Sequence, residues 1–244
     1  MVQDAINSTP VYAFLFFRFG IASILMFFIA YKYLNQINKR TIFYGVILGT
    51  FLFSAFATQT FGLLYTKSSI VAFITGLNVI FVPFLAYLVF KDHISKKVFI
   101  AAIVAVIGLY SLTMSGTLTV GIGEFLTLIC AFLFALQIIY TGKFSKEVNV
   151  FLLVLFQLIT VTILSLIFSL SLDDVTFNLS YDYAFFKFVL ITAIFATVYA
   201  FLIQTYMQQF TTASKTAIIF AMEPVSAAIF AYFMISETLT SIQL

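Results

Sequence analysis

The hydrophobic residues of this chain fall into eight long runs: Val11–Tyr31, Ile42–Leu64, Ile70–Phe90, Val98–Met114, Gly121–Thr141, Val150–Leu172, Ala184–Tyr206 and Ala213–Ile235. Each is close to the ~20 residues that, at about 1.5 Å rise per residue, cross a hydrocarbon layer about 30 Å thick. The pattern predicts an all-α integral membrane protein with eight transmembrane helices. The polar connections are short. The longest, Asp173 to Tyr183, cannot hold a folded domain, so function has to lie among the helices. The first run carries Arg18 and lacks a basic leader and a small-residue cleavage site, so it reads as a spanning helix rather than a signal peptide.

Composition sharpens this reading. Of 244 residues, 63% are hydrophobic and 9% charged, against about a quarter charged in soluble domains. Cys130 is the only cysteine, which excludes an intramolecular disulfide. The net charge of +3 points to no nucleic-acid partner and is more informative loop by loop. Lys32, Lys39, Arg40, Lys91, Lys96, Lys97, Lys143 and Lys146 fall on one side. The other side carries Asp4, Lys67, Asp173, Asp174, Asp182, Lys187 and Glu237. An excess of Lys and Arg marks the cytoplasmic side, and the expected location is a bacterial-type inner membrane.

The chain also repeats itself. A shift of 145 residues aligns Ala55-Phe56, Gln59-Thr60, Thr66, Ser69, Ala72, Ile74 and Ala86-Tyr87 with Ala200-Phe201, Gln204-Thr205, Thr211, Ser214, Ala217, Ile219 and Ala231-Tyr232. A shift of 139 overlays Phe17-Arg18 and Ile24-Leu25 on Phe156-Gln157 and Ile163-Leu164. The halves divide as residues 1–115 and 116–244. The fifth run would have its counterpart before residue 1, and the fourth would have one beginning near residue 243. The expectation is a ten-helix parent of two five-helix units, seen without its first and last helices, with both restored ends cytoplasmic. An odd number of helices per unit makes the repeat inverted, an architecture on which secondary transporters build alternating access around a midplane site.

Met222-Glu223-Pro224-Val225 followed by Glu237, Phe17-Arg18-Phe19 early in a helix, and Gly123-Glu124 with Ala135-Leu136 later resemble the drug/metabolite transporter superfamily, the EamA-type transporters in particular. The resemblance covers essentially the whole chain. It implies a ten-helix inverted-repeat carrier that exports amino acids or other small metabolites. In the first half, Asn78-Val79 stands where the pattern has Glu-Pro, Pro83 comes four residues later, and Lys91-Asp92 replaces Gly-Glu.

Polar residues inside the runs are the candidate site, because a charge at the bilayer centre costs roughly 2.5 to 3.5 kcal/mol on insertion scales and normally faces a cavity or a partner. Glu223 heads a stripe with Thr212, Thr216 and Ser226. It reads either as a substrate or proton site or as a group satisfying backbone freed by Pro224; Pro224 and Pro83 are the expected helix breaks. Gln59 and Gln204, related by the repeat, read as substrate contacts or as interhelical hydrogen bonds. Asn78 occupies the position equivalent to Glu223. Arg18 reads as an anchor for a substrate carboxylate or phosphate, or as a structural ion pair with an acid such as Glu124; Gln157 and Gln137 answer it by symmetry. Gly45 and Gly49 predict close packing within the chain. His93 is the sole histidine, and no phosphate-binding loop is present. The chain therefore reads as a secondary transporter for a small-molecule substrate, with protons as a candidate coupling ion and with no cofactor, metal or catalytic residue. The alternatives are a non-transporting helical scaffold or receptor, or an inactive truncated product.

Overall fold

The computed structural model describes residues 10–91, 96–113, 121–172 and 183–222. Among the described residues all regular structure is helical. Helix α1 spans Val11–Ala30 and runs into a 3-10 turn, Tyr31–Gln36. It is followed by α2 (Lys39–Tyr65), α3 (Ser68–Gly76), α4 (Asn78–Phe90), α5 (Lys96–Thr113), α6 (Ile122–Phe144) and α7 (Val150–Leu172). Next come α8 (Tyr183–Ala193), a π-helix (Ile194–Tyr199), α9 (Ala200–Met207) and α10 (Ala213–Phe220). Six stretches among these are long and apolar enough to cross a membrane. The fourth run corresponds to α5, and the eighth is described only as far as α10 and the turn after it.

Long apolar helices are the form these runs must take, because a helix satisfies its backbone groups internally where no water is available. Their outer faces are oily: Phe28 is 71% exposed, Phe195 65% and Phe125 58%. That surface suits lipid and is unsuited to water. Helix α2 begins at Asn38, whose Oδ1 accepts from the Thr41 amide at 2.8 Å and from the Thr41 hydroxyl at 3.1 Å.

Two runs expected as single helices are interrupted. Between α3 and α4 the backbone tightens around Leu77, whose amide donates to the Ile74 carbonyl at 3.1 Å and whose carbonyl accepts from Ile80 at 2.9 Å. Pro83, expected to be the break, sits inside α4 instead. The distortion falls upstream, between Gly76, a poor helix former, and the first turn of α4, which loses a bond because Pro83 has no N–H. The seventh run continues through the π-helix without ending.

The helices before and after residue 116 interleave. Helix α2 lies at the centre against α6 and α7, α1 lies along α7 and against α8, and α4 packs on α6 and α10. The largest buried cluster joins Phe14, Phe19 and Met26 of α1 to Leu52 of α2, Leu158 of α7 and Val198 of the π-helix. Gly45 and Gly49 let α2 approach α7 closely. A Cβ on Gly45 would stand 2.4 Å from the Phe156 Cβ, and one on Gly49 would stand 2.4 Å from the Thr160 Cβ. The glycine pair therefore serves packing within the chain.

Candidate functional site

Arg18 lies on α1 and is only 7% exposed. Its Nε donates to the Thr197 Oγ1 at 3.0 Å, and its Nη2 donates to the Ala196 carbonyl at 3.3 Å. Both acceptors belong to the π-helix, where each carbonyl is set for a partner one residue further along than in an α-helix; such bulges recur at functional sites. The Thr197 hydroxyl donates in turn to the Thr192 carbonyl at 3.0 Å, which leaves its oxygen oriented to accept from Arg18. The guanidinium sits 4.8 Å from the centre of the Phe56 ring and 5.3 Å from that of Phe19. A guanidinium has five N–H donors, and three of these have no acceptor among the described residues.

Phe56 anchors an aromatic cluster around this charge. Its ring centroid is 5.2 Å from Phe19, 5.3 Å from Phe134 and 6.4 Å from Phe201. Phe56 and Phe201 correspond under the 145-residue shift, and they touch. A second equivalent pair also meets: the Ser23 Oγ lies 3.0 Å from the Thr162 Oγ1, and these residues correspond under the 139-residue shift.

The other residues singled out from the sequence are dispersed. Gln59 is half-buried and its Nε2 donates to the Thr75 Oγ1 at 3.2 Å, tying α2 to α3. Gln204 is buried and donates to the Gln137 Oε1 at 3.1 Å; Gln137 donates onward to the Thr141 Oγ1 at 3.1 Å. Asn78 is buried at the start of α4, directly after the break. Thr216 is buried on α10, its hydroxyl bonded to the Thr212 carbonyl at 3.2 Å. Glu223 and Pro224 lie outside the described residues.

The anticipated ion pair between Arg18 and Glu124 is not formed. Glu124 is committed to a helix start: its Oε1 accepts from the Thr66 hydroxyl at 2.5 Å and its Oε2 from the Gly121 amide at 2.9 Å. Gln157, which matches Arg18 under the 139-residue shift, is fully buried, and neither amide atom has a hydrogen-bond partner among the described residues. The π-helix, with Thr197 and Ala196, was not foreseen, because a threonine in an apolar run carries no signal of a changed helical register. The Ser23–Thr162 pair was within reach of the 139-residue shift, as two small hydroxyl residues in matching places.

Comparison with known proteins agrees with this architecture. The model of the EamA-like transporter family matches residues 1–114 and again 121–244. A relative from Archaeoglobus fulgidus, named an uncharacterized transporter, is 31% identical over 243 residues, covering 100% of this chain and 75% of its own. A protein crystal structure superposes with a TM-score of 0.82 over 99% of this chain and 85% of its own, at 10% identity, which shows the fold alone. The chain belongs to the EamA-like transporter family of the drug/metabolite superfamily, and is an integral multi-pass membrane transporter rather than an enzyme.

Proposed function

We propose that this protein is a secondary-active carrier that exports small metabolites such as amino acids by alternating access. Its eight membrane-crossing segments form an inverted repeat around a midplane site at Arg18 and Phe56. The observation that carries this reading is the meeting of equivalent residues, Ser23 with Thr162 and Phe56 with Phe201. A residue can touch its own counterpart only near the axis that relates the two halves. Two such contacts, one between α1 and α7 and one between α2 and α9, support a local two-fold axis beside Arg18. If that axis lies in the membrane plane, exchanging the conformations of the two halves turns an inward-open carrier into an outward-open one.

Arg18 supplies the chemistry. A buried ion costs several kcal/mol unless it is compensated, and the described residues offer this guanidinium two polar acceptors and two rings but no carboxylate. A substrate carboxylate would take up the remaining donors in bidentate geometry, with the phenylalanines around it receiving an apolar group. Asn78, Gln59, Gln204 and Thr216 are proposed to line the path, and Glu223 to be the proton site. An inward proton gains about 2.3 kcal/mol per 100 mV, which can drive export. The basic side faces the cytoplasm of an inner membrane in this reading.

The test is chemical access from water. Cysteine at Asn78 or Gln59, in a Cys130→Ser background, is expected to react with a membrane-impermeant thiol reagent and to be protected by substrate. Complete protection of both positions without any substrate would favour a packed scaffold that transports nothing.

A further inference from the structure

A cavity of about 700 Å³ lies where the end of α4, the start of α5, the end of α6 and the start of α10 come together. Lys143, Lys146 and Lys215 line it, and Glu147 is the one carboxylate among the described lining residues. Glu147 is drawn toward α2, where its Oε2 accepts from the Tyr44 hydroxyl at 2.6 Å. Lys143 is held with its Nζ 4.8 Å from the centre of the Phe90 ring, a wall of the same cavity. Thr212 and Ser214 open α10 at the cavity edge, and the Thr212 Oγ1 receives the Lys215 amide only at 3.4 Å, which leaves that amide weakly satisfied. Placement of basic residues on the cytoplasmic side accounts for lysines at this depth. It does not account for three of them, from two separate elements, bordering one concave space of ligand size. Nor does the repeat require it, since Lys215 corresponds to Ile70.

We propose that this cavity is an anion-binding vestibule that takes a carboxylate or phosphate group, carried by a soluble metabolite or by a lipid headgroup. A concave wall of one charge focuses the field and raises the local anion concentration, while the helix start offers N–H donors to the same group. The inference does not depend on the transport cycle, and its test needs no transport.

The full chain carrying Cys130→Ser and Ser214→Cys is placed in phosphatidylcholine nanodiscs. It is labelled in parallel with an anionic sulfonatoethyl and a cationic trimethylammonioethyl methanethiosulfonate. Relative to free 2-mercaptoethanol, the anionic-to-cationic rate ratio is expected to rise by about tenfold, to fall with added salt and to collapse in Lys143→Gln/Lys215→Gln. Inorganic phosphate should slow labelling if the site takes soluble anions. Slowing only when phosphatidylglycerol is included would assign the site to a headgroup. A ratio equal to that of the free thiol would overturn the proposal, as would a raised ratio with no protection by either anion.

Discussion

The close approach of α2 to α7 at Gly49 gives a prediction whose sign changes with position. In Gly49→Ala the new Cβ would stand 2.4 Å from the Thr160 Cβ and 2.6 Å from the Gln157 carbonyl oxygen. Ordinary carbon contacts lie near 3.5 to 4.0 Å, so the methyl is more than 1 Å too close to atoms that no side-chain rotation can move. Helix α2 would have to withdraw from α7. Overpacking of this kind costs about 1 to 3 kcal/mol, and the upper end applies because backbone is involved. The better helix propensity of alanine returns about 1 kcal/mol, leaving a net loss of about 2 kcal/mol. Gly20 is the control, since its added Cβ would meet only the Thr162 Cγ2 at 3.7 Å. Gly20→Ala should therefore be neutral or stabilising by up to about 1 kcal/mol. Unfolding in mixed micelles titrated with dodecyl sulfate, followed by helical circular dichroism, measures both. Equal stability of the two variants, or a Gly49→Ala protein as stable as wild type, would refute the packing argument.

Other consequences follow from single contacts. Gln157→Leu removes a buried amide with no hydrogen-bond partner among the described residues and should raise the unfolding free energy by about 1 kcal/mol in the same titration; destabilisation would mean that the amide is satisfied. Glu124→Ala strips α6 of its capping carboxylate and Thr66 of its acceptor, for a loss of about 1 kcal/mol, and a double-mutant cycle with Thr66→Val should show coupling between the two. A disulfide between Ser23→Cys and Thr162→Cys joins residues that correspond under the 139-residue shift, a contact that the proposed exchange of the halves leaves in place, so uptake should survive oxidation. Linking Gln204→Cys to Gln137→Cys, which are not equivalent, should stop uptake under the same oxidant.

Six of the eight runs emerge as helices able to span a membrane, legible because a spanning helix must be both long and apolar, which few other structures require. The 145-residue shift pairs Phe56 with Phe201, and these prove to be in contact. The break at Leu77 and the π-helix at Ile194–Tyr199 were hidden, because small changes of helical register leave hydrophobicity untouched. Pro83 pointed to the right helix but the wrong residue, since a proline's strain can be relieved a turn or more before it. Arg18 stood out as a charge in an apolar run, yet its acceptors are a hydroxyl and a backbone carbonyl rather than Glu124. A backbone carbonyl has no sequence signature. Lys143 and Lys146 were read only as topology markers, because the border they share with Lys215 on one cavity depends on how α6 and α10 pack.

The measurement closest to the central claim is uptake of a labelled mixture of amino acids and related metabolites by proteoliposomes, comparing the wild type with Arg18→Gln. The account predicts saturable uptake of carboxylate-bearing compounds by the wild type and its loss in the variant, with the variant still folded. Absence of uptake above empty liposomes from folded wild-type protein would contradict the carrier, and undiminished uptake by Arg18→Gln would contradict the site.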